Sequence, residues 1–90
     1  MPTAAPPEVV MLAKVYVTLK EGVLDPQGKA VEHSLVSLGF KEAVDVRIGK
    51  YVVIKLAGVT KRDAGKRVRQ MCEKLLANPV IESYTIEVEE

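Results

Sequence analysis

The stretch from Glu73 to Val88 constrains this chain more than any other. A helical repeat closes on Leu75-Leu76-Ala77, Asn78-Pro79 interrupts it, and Tyr84, Ile86 and Val88 then alternate with polar residues. Proline lacks an amide hydrogen and pushes the residue before it toward extended backbone, so the helix ends at this point. The change from a period near 3.6 to a period of two puts a helix directly before a strand. Every residue of this junction has a structural explanation, and none of them requires a reaction.

The same reading extends to the rest of the chain. From Lys14 onward Val15, Val17 and Leu19 point one way and Lys14, Tyr16, Thr18 and Lys20 the other, which predicts a half-buried first strand. Asp25 offers a helix N-cap and Pro26 occupies the first helical position, where its fixed φ is favourable. Val31, Leu35 and Leu38 then recur at i, i+4 and i+7, and Gly39-Phe40 supplies a left-handed stop. A second helix starts at Thr60, with Asp63 three residues on in capping-box fashion, and carries Ala64, Val68, Met71 and Leu75 in one stripe flanked by Cys72 and Leu76.

Between the helices, Asp45 to Leu56 reads either as one long strand or as a hairpin turning at Gly49-Lys50. Side-chain parity favours the single strand, because Val46, Ile48, Val52, Ile54 and Leu56 then share a face. At about 3.3 Å per residue such a strand spans roughly 40 Å, and its overhang invites pairing with a neighbouring subunit. The prediction is an α+β protein, a two-layer sandwich in the order β-α-β-α-β with a long bent central strand and both helices on one sheet face. A split central strand gives a ferredoxin-like alternative. The opposite sheet face then carries Tyr16, Thr18, Tyr51, Val53 and Thr85, either solvated or packed against another subunit.

Ninety residues suffice for one domain, and a chain of this size buries only about 60% of the surface it exposes when unfolded. With one Cys and one His, disulfides and metals are poorly supplied, and oligomerisation is the remaining source of extra stability. Residues 1–10, rich in proline before Glu8, read as a flexible tail, and residues 11–90 as the domain. A net charge of +1 gives no overall drive toward nucleic acid or anionic membrane. No apolar run approaches the roughly 20 residues of a membrane span, and the N-terminus lacks the regions of a signal peptide. A cytoplasmic protein is expected, with Cys72 as a buried reduced thiol.

No catalytic constellation is visible. Lys29 after Gly28 and Lys66 after Gly65 resemble parts of a phosphate loop, but neither site has Gly, four residues and then Gly-Lys-Ser/Thr. His33 has no partner for nucleophilic or metal chemistry and reads as a surface helix residue. Glu87, Glu89 and Glu90 form an acidic strand end rather than an acid and base pair. Lys61, Arg62, Lys66, Arg67, Arg69 and Lys74 make the second helix basic. A solvated face explains this first, an acidic protein partner second and RNA third, since the aromatic signature of an RNA-recognition sheet is missing.

Five segments in order carry a family likeness: Val15-Tyr16-Val17-Thr18-Leu19-Lys20, Gly22-Val23-Leu24-Asp25-Pro26-Gln27-Gly28, Leu38-Gly39-Phe40, Val46-Arg47-Ile48-Gly49-Lys50, and Met71 to Glu82. Over Lys14 to Glu89 the chain resembles the PurS family, the small subunit of phosphoribosylformylglycinamidine synthase. The resemblance implies a non-catalytic subunit of de novo purine biosynthesis that forms a dimer or tetramer. It also implies that this subunit joins a glutaminase subunit to a large ATP-dependent synthetase subunit and supports ammonia transfer between them. The complex uses ATP, Mg and glutamine, none of them bound by this chain alone, and neither nucleic acid nor membrane is a partner. Contact surface is expected at Gly22, Val23, Leu24, Asp25, Gln27 and Gly28 and at Arg47, Gly49 and Lys50. From the open sheet face Tyr16, Tyr51 and Val53 join them. A dimeric metabolite-sensing α+β domain is the alternative from another class, distinguished by binding its ligand without other subunits.

Overall fold

The computed structural model describes residues 10–90, so the expected tail before Val10 lies outside the described residues. Strand β1 runs Val10–Leu19, helix α1 Pro26–Ser37, strand β2 Lys50–Ala57, helix α2 Lys61–Met71, and strand β3 Glu82–Glu89. A single turn of π-helix, Cys72–Leu76, extends α2. The α+β class and the β-α-β-α-β order are those read from the sequence. The strands form one sheet in the order β2-β1-β3, with β1 antiparallel to both neighbours.

β1 is the central strand, and its inward residues are the most buried in the sheet. Met11, Ala13, Val15 and Val17 retain at most 3% of their surface, while Val10 joins the strand by pairing with Ala57. The alternation expected from Lys14 therefore begins four residues earlier. Val68 and Cys72 of α2, both fully buried, close the core over this strand, with Tyr84 and Ile86 of β3 and Val52, Ile54 and Leu56 of β2 around them. Burying one such aliphatic side chain contributes about 1.5 to 3 kcal/mol.

The strand directions explain where the helices lie. β2 and β3 are both antiparallel to β1, hence parallel to each other with β1 between them. Passing from the end of β2 to the start of β3 requires a crossover along the sheet, and α2 provides it by packing on β1 and β3. β2 starts beside the end of β1, however, so residues 20–49 need no crossover. They leave the sheet and return to the same end, and α1 is carried on that excursion. Its one buried residue is Gly28, and it contributes nothing to the core. The expectation of two helices packed on one sheet face is thus met by α2 and not by α1.

Two further details differ from the sequence reading. The strand expected over Asp45 to Leu56 begins at Lys50 and is an edge strand, not the central one. Residues 43–49 pair with no strand, because Val17 opposite Lys50 is the last residue of β1 that β2 reaches. Nor is there a hairpin at Gly49-Lys50. In the second helix Leu75 is 82% exposed although it lies seven residues after Val68. The π-turn, closed by the Ala77 N–H donating to the Cys72 carbonyl (3.0 Å), adds a residue to the last turn and rotates Leu75 out while Leu76 turns in.

The helix ends follow the sequence closely. Asp25 caps α1 and Thr60 caps α2, the latter accepting from the Asp63 N–H at 3.1 Å. Gly39, at φ 106°, ends α1, with Phe40 N–H donating to Leu35 carbonyl (2.9 Å) and Gly39 N–H to Val36 carbonyl (3.0 Å). This pair of bonds is the Schellman arrangement. No helix among the described residues is long and apolar enough to cross a membrane.

Candidate subunit interface

The two segments expected as contact surface, Gly22–Gly28 and Arg47–Lys50, meet at one end of the sheet. Asp25 joins them. Its carboxylate accepts from the Gly28 N–H (2.8 Å) as an N-cap and from the Ile48 N–H (2.7 Å) on the returning segment. Only 5% of Asp25 is exposed, and the Ile48 and Gly28 N–H groups hold its carboxyl below the ordinary 3.8. The Arg47 guanidinium donates to the Lys20 carbonyl at 3.0 Å, a second tie across the same gap. A helix boundary accounts for the bond to Gly28 but not for the bond to Ile48, which no local sequence pattern announces.

Glycine is required where these segments touch. A Cβ on Gly28 would collide with the Val46 carbonyl oxygen and stand 2.9 Å from Asp25 Oδ2, and one on Gly49 would collide with the Val17 carbonyl oxygen and the Thr18 methyl. Gly22, at φ 87°, makes the turn out of β1 with the Val23 N–H donating to the Lys20 carbonyl. Leu24 projects outward, 71% exposed, and Val23 is half-buried. Two open clefts flank Thr18 and Leu19 here. One of about 210 Å³ takes in Gln27, Gly49, Lys50 and Glu82, and one of about 400 Å³ takes in Gly22 and Arg47.

Tyr16, Tyr51 and Val53 form a separate patch on the open sheet face. Tyr16 and Tyr51 are cross-strand partners whose rings stack at 5.0 Å and 21°. The Tyr16 hydroxyl donates to Glu87 Oε1 (3.0 Å) and the Lys14 ammonium to Glu89 Oε2 (2.9 Å). Those carboxylates raise the titration of both donors. The acidic strand end is therefore engaged in ordering this face. Tyr16, Tyr51 and Val53 are 38%, 54% and 48% exposed, a sizeable apolar surface for so small a sheet.

At the junction singled out in the sequence, Tyr84 donates to Glu73 Oε2 and the Asn78 N–H donates to Glu82 Oε1, both at 2.6 Å. Neither of these two separate carboxylate bonds is read from the sequence. Spacing gives no clue, since the first bond joins the last helical turn to the interior of a strand. Cys72 is fully buried and desolvation raises its thiol pKa, which suits a packing residue. Among the described residues no cluster of three or more His, Cys, Asp and Glu is placed to hold a metal.

Arranged this way, the described residues form a small α+β domain whose distinctive residues build turns and exposed surfaces. The family model for PurS, phosphoribosylformylglycinamidine (FGAM) synthase, matches residues 12–90. The phosphoribosylformylglycinamidine synthase subunit PurS of Bacillus subtilis is 58% identical over 77 residues, covering 86% of this chain and 90% of that protein. A B. subtilis PurS crystal structure superposes with a TM-score of 0.80 at 56% identity, over 89% of this chain and 99% of that one. A chain of the PurLQS structure from Thermotoga maritima gives 0.82 at 27% identity, over 90% and 99%. The chain belongs to the PurS family of FGAM synthase subunits, proteins of purine biosynthesis.

Proposed function

We propose that this chain is a non-catalytic, homo-oligomeric bridging subunit of FGAM synthase, joining the glutaminase subunit to the ATP-dependent synthetase subunit and supporting ammonia transfer between them. The observation that carries the reading is the likeness, over nearly the whole chain, to a component of the T. maritima PurLQS structure. The geometry agrees with it. Rigid turns tied by Asp25 and Arg47, and a stacked tyrosine face, suit surfaces that must hold their shape when another protein docks. The buckle at Gly22–Gly28 and Arg47–Lys50 serves as contact surface toward the other subunits, and Tyr16, Tyr51 and Val53 as a second contact.

The chemical need for a bridge follows from the reaction. One subunit frees ammonia from glutamine and another activates the acceptor amide with ATP and magnesium, so the ammonia must travel between them without escaping to water. A subunit with no reactive groups meets this need by fixing the other two in register. Reconstitution tests the reading. With all three subunits, glutamine supports synthesis; without this chain, glutamine-dependent synthesis collapses while synthesis from added ammonia persists and the other two subunits no longer co-elute. Full glutamine-dependent activity in its absence refutes the bridging role.

A further inference from the structure

Helix α2 carries more positive charge than its own electrostatics favour. Lys61–Met71 holds Lys61, Arg62, Lys66, Arg67 and Arg69 against the single carboxylate of Asp63. That is a net +4 within a chain of net +1, which leaves the remainder at −3. Lys61 and Arg62 occupy the first turn, where the helix dipole is positive and disfavours cations. Arg62, Lys66 and Arg69 stand exposed along one side of the helix at i, i+4 and i+7, and like charges at these spacings repel one another.

The chain does not neutralise this stripe. The ion pairs among the described residues are Lys14–Glu89 and Lys29–Glu32, neither of them on α2. Glu73 follows Arg69 by four residues, a spacing that allows the two to pair. Its carboxylate instead accepts from the Tyr84 hydroxyl at 2.6 Å, so the nearest acidic side chain on the helix is engaged toward β3.

We infer that the Arg62, Lys66 and Arg69 stripe of α2 docks an acidic segment of another protein of the FGAM synthase assembly. The inference rests on the bridging function proposed above and adds to it a contact apart from the buckle and the tyrosine face. Size and charge favour a protein segment over a polyanion. Arg62 and Arg69 stand about 10 Å apart along the helix at 1.5 Å per residue, room for a short run of carboxylates. An RNA or an anionic bilayer extends past the stripe onto a remainder of the chain at −3. Helix α2 also has no aromatic side chain, which a single-stranded nucleic acid would use for stacking. Carboxylates set against the three cations relieve the repulsion within the helix and form charge-assisted hydrogen bonds with both guanidinium groups.

Zero-length cross-linking of the assembled complex tests this. The full chain is combined with the glutaminase and synthetase subunits and treated with a carbodiimide, which joins an amine to a carboxylate only where the two touch. Mass spectrometry then maps the products. An amide between Lys66 and an Asp or Glu of either other subunit is the expected result. Arg62→Gln/Arg69→Gln keeps Lys66 as the reporter and is expected to suppress that product. It is also expected to weaken assembly about 10-fold at low salt and no more than about twofold in roughly 0.5 M salt, where surface charges are screened. The isolated double variant should resist denaturant at least as well as the parent, since it loses like-charge pairs and no core contact. A complex that assembles without a Lys66 product to another subunit, or whose affinity the double variant leaves unaltered, overturns the inference and leaves the bridging role intact. If the unaltered subunits do not assemble, the bridging role falls with it. Salt-dependent binding of oligouridylate that the double variant abolishes assigns the stripe to RNA and overturns the docking of a protein segment.

Discussion

Gly28 and Gly65 both lie in helices, so replacing either by Ala gains the same intrinsic term, at most about 1 kcal/mol. The structure gives the two substitutions opposite signs. At Gly65 a Cβ meets nothing within 4 Å, and the full gain of about 1 kcal/mol is expected, raising the melting temperature by roughly 4 to 8 °C for a domain of this size. At Gly28 the Cβ collides with the Val46 carbonyl oxygen and crowds Asp25 Oδ2 at 2.9 Å. Backbone cannot rotate away as a side chain can, so the upper end of the overpacking range applies, about 3 kcal/mol. Subtracting the helical gain leaves a net loss of about 2 kcal/mol, concentrated in the buckle rather than in the core that α1 does not touch. The assay is hydrogen exchange at the Ile48 amide, which donates to Asp25. A loss of about 2 kcal/mol accelerates exchange through local opening roughly 30-fold. Both variants are compared with the parent at one protein concentration, because oligomerisation shifts apparent stability. If Gly28→Ala leaves Ile48 exchange unchanged, or Gly65→Ala lowers the melting temperature, the packing argument is wrong.

Asp25 titrates below the ordinary carboxyl value in the folded chain, so its contribution is complete above about pH 4 and fades as pH falls through the folded value. Ile48 amide protection, corrected for intrinsic exchange, is expected to be flat above pH 4 and to drop below it, and Asp25→Asn to remove that dependence. Val68→Ala is expected to cost about 2 to 3 kcal/mol in denaturant unfolding, from two lost methyl groups plus a cavity; Val44→Ala, at a position 80% exposed, should stay within about 0.5 kcal/mol. Cys72, buried and with its thiol pKa raised by desolvation, is expected to resist a thiol reagent in the native chain and to react fully in denaturant. Rapid native labelling would contradict its place in the core.

Local features were legible because their physics is local. Asp25-Pro26, Gly39-Phe40 and Thr60 specify helix ends through bonds that span only a few residues, and the structure forms those bonds. The alternation in β1 and β3 identified the inward faces, since a half-buried strand repeats every two residues. Side-chain parity also identified Val52, Ile54 and Leu56 as inward, but parity says nothing about where pairing stops, and so the strand was read five residues too long. Leu75 was misplaced because a π-turn shifts the helical phase without any marker in composition. Among the candidate contact residues, Gly22–Gly28 and Arg47–Lys50 were identified separately by family likeness, and only the structure joins them through Asp25.

By itself, then, the sequence determined the α+β class, the order of the elements, their caps, the inward faces of the strands and membership of the PurS family. Each of these depends on neighbouring residues or on motifs in order along the chain. Tertiary structure alone decided that β1 is central and that α1 stands apart from the sheet on which α2 packs. Those outcomes depend on strand direction. Antiparallel β1 and β2 share an end, so the segment between them is free to leave the sheet, whereas β2 and β3 run parallel and α2 must span the sheet to connect them.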